Sequence, residues 1–241
     1  MNKNSNAYTF IFAIVMVIVV AVTLSFTATT LSPLQKENVR KEKMQNILAT
    51  IGIQTDRENA EELFNKHITQ QLSLDHKGEE KTEVNAFEVD LAKELSKPEE
   101  EQTFPLYIAN YEGSEYYIAP LRGSGLWDAI WGYIALKDDA NTVKGVVYDH
   151  KGETAGLGAE ITTDWFQQRF VDEKIFNDKG ELVGVNVVKG YSGGNDKDDN
   201  KVDSISGATI TSDGVSEMIE NRLKNYLPFF KKRQDIKVVT R

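Results

Sequence analysis

The sequence contains no cysteine, which excludes disulfides, thiolate-held iron–sulfur clusters, c-type haem attachment and a thiol nucleophile. Any redox role must therefore come from a bound cofactor. Histidine is almost as scarce: only His67, His76 and His150 occur, and no two stand at a metal-ligand spacing such as H-x-x-x-H. No transition-metal site is expected. Positive charge is in deficit, with 28 Lys+Arg against 37 Asp+Glu and a formal net charge of -9. Such a chain lacks the basic surface that neutralises nucleic-acid phosphates, so nucleic acid is excluded as a partner class. Internal repeats and long low-complexity segments are missing as well.

What the sequence does have begins with an apolar run. From Tyr8 to Leu24 no residue is charged, and the uncharged stretch continues to Gln35. A helix rising about 1.5 Å per residue over some 20 residues spans a hydrocarbon core of about 30 Å. Residues 1–31 are therefore read as a tail and one transmembrane helix. The alternative is a cleaved signal peptide, with Lys3 as its n-region and SFTATT as its cleavage zone. Lys36, Arg40, Lys41 and Lys43 follow the run and Lys3 precedes it, so charge counting alone leaves the larger part of the chain in the cytoplasm.

About 200 residues remain, enough for a compact unit with a core of its own. Residues 32–103 read as a helical linker with a polar excursion. Ser32-Pro33 offers an N-cap and first-turn proline for a helix through Leu34, Met44, Ile47, Leu48 and Ile51, closed by Gly52. Asp56 caps a second helix in which Ala60, Leu63, Phe64, Ile68 and Leu72 recur at helical spacing. The acid-rich passage from Ser73 to Thr103 reads as partly helical. Residues 104–230 form the main domain. FPLYIAN, YYIAP, WGYIAL, TVKGVVYD and LVGVNVVKG are short β-branched or aromatic runs broken by glycine and charge, which predicts strands. TTDWFQQRF predicts a short helix from Thr163, and SDGVSEMIENRLKNYL a longer one stopped by Pro228. Residues 231–241 are a tail. The expected fold class is α+β, a twisted β-sheet flanked by helices.

Three segments carry candidate chemistry. In DSISGATIT, from Asp203 to Thr211, Gly207 and Ala208 remove side-chain bulk and leave the Thr209 hydroxyl accessible, just before a helix whose unpaired N–H groups favour an anion. Read alone, it is also an ordinary turn with Thr211 or Ser212 as N-cap. HKGETAGLGAEI places Gly152, Gly156 and Gly158 around Glu153 and Thr154, allowing close backbone approach to a flat ligand or phosphoryl group, yet it matches neither a Walker loop nor G-x-G-x-x-G. GSGLWDAIWGYIAL sets Trp127 and Trp131 four apart. Indoles stack on aromatic ligands, and they equally fill cores. Asp196, Asp198 and Asn200 open like a calcium loop, but Lys201 and Gly207 stand where that loop needs glycine and glutamate; no metal site is assigned.

In order and content, these segments resemble the FMN-binding domain family, with its G-x-G-L-W, E-T-P-G-L-G and D-x-x-S-G-A-T motifs. The resemblance covers roughly Phe104 to Leu227. It implies one FMN per chain, transferred by an FAD:protein FMN transferase and held by a phosphoester to Thr209. Asp203, Ser206, Gly207 and Ala208 would shape the attachment site, Glu153, Thr154, Gly156 and Leu157 would line the flavin, and Trp127 would lie against its ring. Ala155 departs from the family, which usually has proline there.

Length, and the long segment before Trp127, are similar to the C subunits of Na+-translocating NADH:quinone oxidoreductases. The G subunits of Rnf-type complexes and a free-standing anchored flavoprotein are the alternatives. The C-subunit resemblance implies a single-electron relay among other subunits of a bacterial inner-membrane complex that reduces ubiquinone. It also implies a flavin domain on the periplasmic side, with no NADH site and no catalytic acid or base of its own.

Overall fold

A computed structural model describes residues 5–191 and 196–239, the side chains of 234–239 excepted. The N-terminal tail with Lys3, and the last two residues of the C-terminal tail, lie outside the described residues. The chain divides into two units, residues 1–43 and 44–241.

The first unit is helical. Helix α1, Asn6–Ala49, runs through Pro33 without a break, where the sequence suggested a fresh N-terminus at Ser32. Proline withdraws one backbone donor, and the long helix-forming stretches on both sides carry propagation past it. Between Asn6 and Gln35 the helix is uncharged and, Tyr8 and Ser32 apart, exposed, long and apolar enough by composition to cross a membrane.

The second unit is a mixed α+β structure. Its sheet is an antiparallel five-stranded meander in chain order: β1 Ile68–Leu74, β2 Phe104–Tyr111, β3 Ser114–Ser124, β4 Ala129–Leu136 and β5 Val143–His150. Successive side chains on a strand point to opposite faces, and here both faces are covered. Leu106, Ile108, Ala119, Leu121, Ile134 and Leu136 join the larger core. Their neighbours Tyr107, Ala109, Ile118 and Ala135 join the smaller one, with Met44, Ile47, Leu48 and Phe64. Double coverage explains why these strands read as continuous apolar runs rather than alternating ones. Each fully buried Leu or Phe contributes about 1.5–3 kcal/mol.

Gly52, at φ +94°, ends the helical turn as expected: Ile53 N–H donates to the Leu48 carbonyl at 3.1 Å, a bond that needs a left-handed residue between them. Helix α2, Ala60–His67, is shorter than its spacing suggested, because Ile68 to Leu74 leave it to pair with β2. Strand pairing there outweighs the local helical period. The acid-rich excursion holds two 3-10 turns and a short helix α3, Leu91–Glu94.

After β5 come α4, Asp164–Gln167, and a 3-10 turn, Gln168–Phe170. Phe166 and Phe170 are buried against Tyr148. Strands β6, Asn186–Val188, and β7, Lys201–Asp203, form a separate parallel pair. Helix α5, Thr209–Lys224, packs on β3, so closely that a Cβ on Gly123 would stand 2.8 Å from Met218 Cβ. Pro228 does not end this helix. It stands in the first turn of a further helix, α6 Leu227–Val239, where a missing N–H costs no hydrogen bond.

Candidate functional site

Strand β7 delivers Asp203 to the loop Ser204–Ala208, and α5 starts on Thr209. Gly207 turns this loop at φ +78°, and a Cβ there would stand 2.9 Å from Leu157 Cδ2. The dihedral is what calls for glycine, since the Leu157 methyl is the end of an exposed, flexible side chain that can turn aside. The helix begins at Thr209 rather than at the Thr211 or Ser212 cap that an ordinary turn suggests, and Ala208, in the N-cap position, provides no side-chain cap. The first-turn N–H groups are therefore open to an anion. Ser206 and Thr209 are exposed, whereas Thr211 and Ser212 are buried.

The second loop contributes a carboxylate that ties the others together. Glu153 is only 8% exposed. Its Oε1 accepts the backbone N–H of Trp127 at 3.0 Å, and its Oε2 accepts the Thr211 hydroxyl at 2.7 Å. Its own N–H donates to His150 Nδ1 at 3.1 Å. Gly125 and Gly158 pack directly against this carboxylate, and a Cβ on either would collide with it. All three segments singled out in the sequence thus meet at one buried side chain.

Trp127 is 67% exposed but not loose. Its indole N–H donates to Thr154 Oγ1 at 3.1 Å, Gly125 N–H donates to the Asp128 carbonyl, and Lys151 pairs with Asp128 at 2.8 Å. The indole face is held open to solvent at one edge of an open cleft of about 350 Å³ lined by residues 122–129. Trp131 does not join it; it lies within β4, opposite Arg122 and Asp149. The Thr154–Leu157 turn closes with Leu157 N–H on the Thr154 carbonyl at 3.1 Å and Gly156 at φ +76°, the pattern of a type II turn. Ala155 occupies the position where such turns prefer proline.

Outside α1, the exposed large hydrophobic side chains among the described residues are Leu126, Trp127, Leu157, Trp165 and Ile210. Four lie in the three segments and the fifth on α4. Apolar surface left in water and concentrated in this way marks a place for an apolar ligand or partner. Of the residues named from sequence, Trp127, Glu153, Thr154, Leu157 and Gly207 are brought together by these contacts, and Thr209 follows at the start of α5. Asp203 is held instead by Arg169, whose Nη1 donates to its carbonyl at 2.5 Å.

Sequence reading missed Thr211, Arg169, Ile210 and Leu126. Thr211, two places after Thr209, had signalled only a helix cap. Arg169 had no local signal, since 34 residues separate it from Asp203.

Comparison with known proteins places the fold and the family. Residues 125–224 match the model of the FMN-binding domain, which defines the class to which this domain belongs. The C subunit of Na(+)-translocating NADH-quinone reductase from Haemophilus ducreyi is 34% identical over 85% of this chain and 86% of its own. That of Vibrio alginolyticus is 31% identical over 88% of each. The solved structure of the C subunit from Parabacteroides distasonis superposes with a TM-score of 0.75 at 40% identity, covering 83% of this chain and 96% of that one. Shewanella oneidensis NqrC gives 0.69 at 25% identity, covering 81% and 98%. The chain belongs to the family of C subunits of Na(+)-translocating NADH-quinone reductase.

Proposed function

We propose that the chain is a membrane-anchored electron-carrier subunit of a Na+-translocating NADH:quinone reductase, holding one FMN through a phosphoester to Thr209. The observation that carries this reading is the meeting of three motif segments at Glu153, beside an exposed threonine on the uncapped start of α5. When bound, FMN supplies reversible one-electron transfer to and from neighbouring redox centres.

The residues of this chain hold, orient and shield. Open first-turn N–H groups of α5 suit a phosphoryl oxygen. Ser206, Gly207 and Ala208 keep the approach to Thr209 free of bulk, Leu157 lies against Gly207, and the Trp127 face, fixed by Thr154, is a platform for a flat ring. Thr209 acts as the acceptor hydroxyl during maturation and as a tether afterwards.

The uncharged α1 segment supports a single transmembrane anchor. We place the flavin domain on the periplasmic side, where a covalent link prevents loss of FMN. The charge rule, with Lys36, Arg40, Lys41 and Lys43 against Lys3, points the other way and is outweighed here by the need to retain FMN. NADH oxidation and sodium movement are assigned to other subunits of the complex.

The test is the intact mass of the full chain produced with an active FAD:protein FMN transferase, beside Thr209→Ala. A gain of one FMN less water, absent from the mutant, is expected. An unmodified wild-type chain, with the transferase active on a control substrate, overturns covalent attachment.

A further inference from the structure

We propose that Arg169 is a positioning residue for transfer of the FMN phosphoryl group to Thr209. This rests on the attachment reading above and adds a residue that no motif contains. In the transfer, Thr209 Oγ bonds to the flavin-side phosphorus of FAD, the pyrophosphate P–O bond breaks and AMP leaves. The hydroxyl proton passes to a base of the transferase or to solvent. Such a step depends on how well the acceptor hydroxyl is presented.

The stretch that presents it, Ser206 to Thr209, is anchored on both flanks. On the far flank, Thr211 is bonded to Glu153 at 2.7 Å. On the near flank, Ser204 N–H donates to the Val188 carbonyl at 3.1 Å, and Arg169 grips Asp203 twice. Its Nη1 lies 2.5 Å from the Asp203 carbonyl oxygen and 3.7 Å from Oδ2.

Arg169 is itself fixed from three directions. Its guanidinium lies over the Trp165 ring, 4.6 Å from the centroid. Its carbonyl accepts Lys197 Nζ at 2.8 Å, and that ammonium also pairs with the buried carboxylate of Glu173 at 3.0 Å. The next residue, Phe170, is fully buried in the core. The Arg169 side chain is 29% exposed and that of Asp203 50%, so the hold comes from the stacking and bracing of the arginine rather than from the ion pair, which water screens. Here one guanidinium nitrogen, on a side chain stacked against Trp165 and a backbone braced by Lys197, ties the core to the carbonyl six residues before the acceptor threonine.

The experiment follows FMN addition by intact mass on the full chain in detergent, with purified transferase, Mg2+ and FAD. Rate is measured against transferase concentration for wild type, Arg169→Ala, Arg169→Lys and Trp165→Leu, with circular dichroism as the check on folding. The expected result is a saturated rate at least about tenfold lower in Arg169→Ala, an unchanged half-saturating transferase concentration, part of the rate restored in Arg169→Lys, and an intermediate loss in Trp165→Leu. If Arg169→Ala does not fold, the saturated rate of Trp165→Leu decides the matter in the same way.

An unchanged saturated rate overturns the inference. So does a loss confined to the half-saturating concentration, which makes Arg169 a docking contact, or a lysine variant no faster than alanine. A wild-type chain that gains no FMN overturns the attachment reading itself and is distinguished by that.

Discussion

Glu153 accepts the Thr211 hydroxyl at 2.7 Å, joining the glycine-rich loop to the first turn of α5 across 58 residues of sequence. The same carboxylate holds the Trp127 backbone, so one buried side chain sets the spacing between the exposed indole and the start of α5, where Thr209 stands. Hydrogen bonds to a charged group are worth about 1.5–3 kcal/mol, and their loss leaves buried donors unpaired. Glu153→Ala should lower Tm by roughly 4–10 °C, with Glu153→Gln losing less because it keeps the shape. An alanine variant that melts with the wild type would remove Glu153 from this role.

Thr211 and Thr209 are two residues apart, and their hydroxyls have opposite surroundings, one buried and bonded, the other exposed. Thr211→Val should keep the mass gain of one FMN while costing about 1–3 kcal/mol, since Glu153 Oε2 is left without its donor. Peptide mapping that places FMN on Thr211 would reverse the assignment.

Gly207→Ala introduces a Cβ at a left-handed position and 2.9 Å from Leu157. The dihedral alone costs about 1–2 kcal/mol. Thermal melts should register that cost, and FMN incorporation should slow because the loop before Thr209 must shift. Full-rate incorporation with an unchanged melt would mean that the loop has no such constraint.

Ala155 stands where a type II turn favours proline, with no backbone hydrogen bond made by its N–H among the described residues. Ala155→Pro should raise stability by about 0.4–1 kcal/mol, chiefly by restricting the unfolded chain, or roughly 1–4 °C in a domain of this size. A lower Tm would show that Thr154 or Ala155 cannot take the required backbone angles.

Asp139 sits in the β4–β5 turn. Burial pushes its carboxyl up, but the Thr142 hydroxyl and the N–H groups of Thr142 and Asn141 outweigh it, and the net shift is downward from 3.8. A depressed carboxylate stabilises the fold above its unfolded value and ceases to do so as pH falls through the folded one. Wild type should therefore lose stability relative to Asp139→Asn only below about pH 3.8, read from melts across an acid series. A constant difference down to the lowest pH measured would contradict the shift.

Because the chain has no native cysteine, orientation is open to a clean test. Lys179→Cys, at an exposed site, should react with a membrane-impermeant maleimide added outside intact spheroplasts. Labelling only after lysis would put the domain in the cytoplasm.

Much of this protein is decided locally. An uncharged run of that length specifies a long exposed apolar helix, glycine at position 52 a helix end, and the S-G-A-T stretch an uncrowded hydroxyl at a helix start, because each follows from neighbouring residues alone. The missing cysteines likewise settle which cofactors thiolates could not hold. Tertiary structure decided the rest. Residues 68–74 have a helical period and become a strand, since pairing with β2 satisfies their backbone and the local pattern cannot foresee that partner. Pro228 opens a helix instead of closing one, because a first-turn position needs no N–H. Trp127 and Trp131 part company for the same kind of reason: one ends in a loop held by Glu153 and Thr154, the other in the sheet. The contacts of Glu153 with Thr211 and of Arg169 with Asp203 bridge 58 and 34 residues, and no spacing along a chain encodes a meeting that only the packed core brings about.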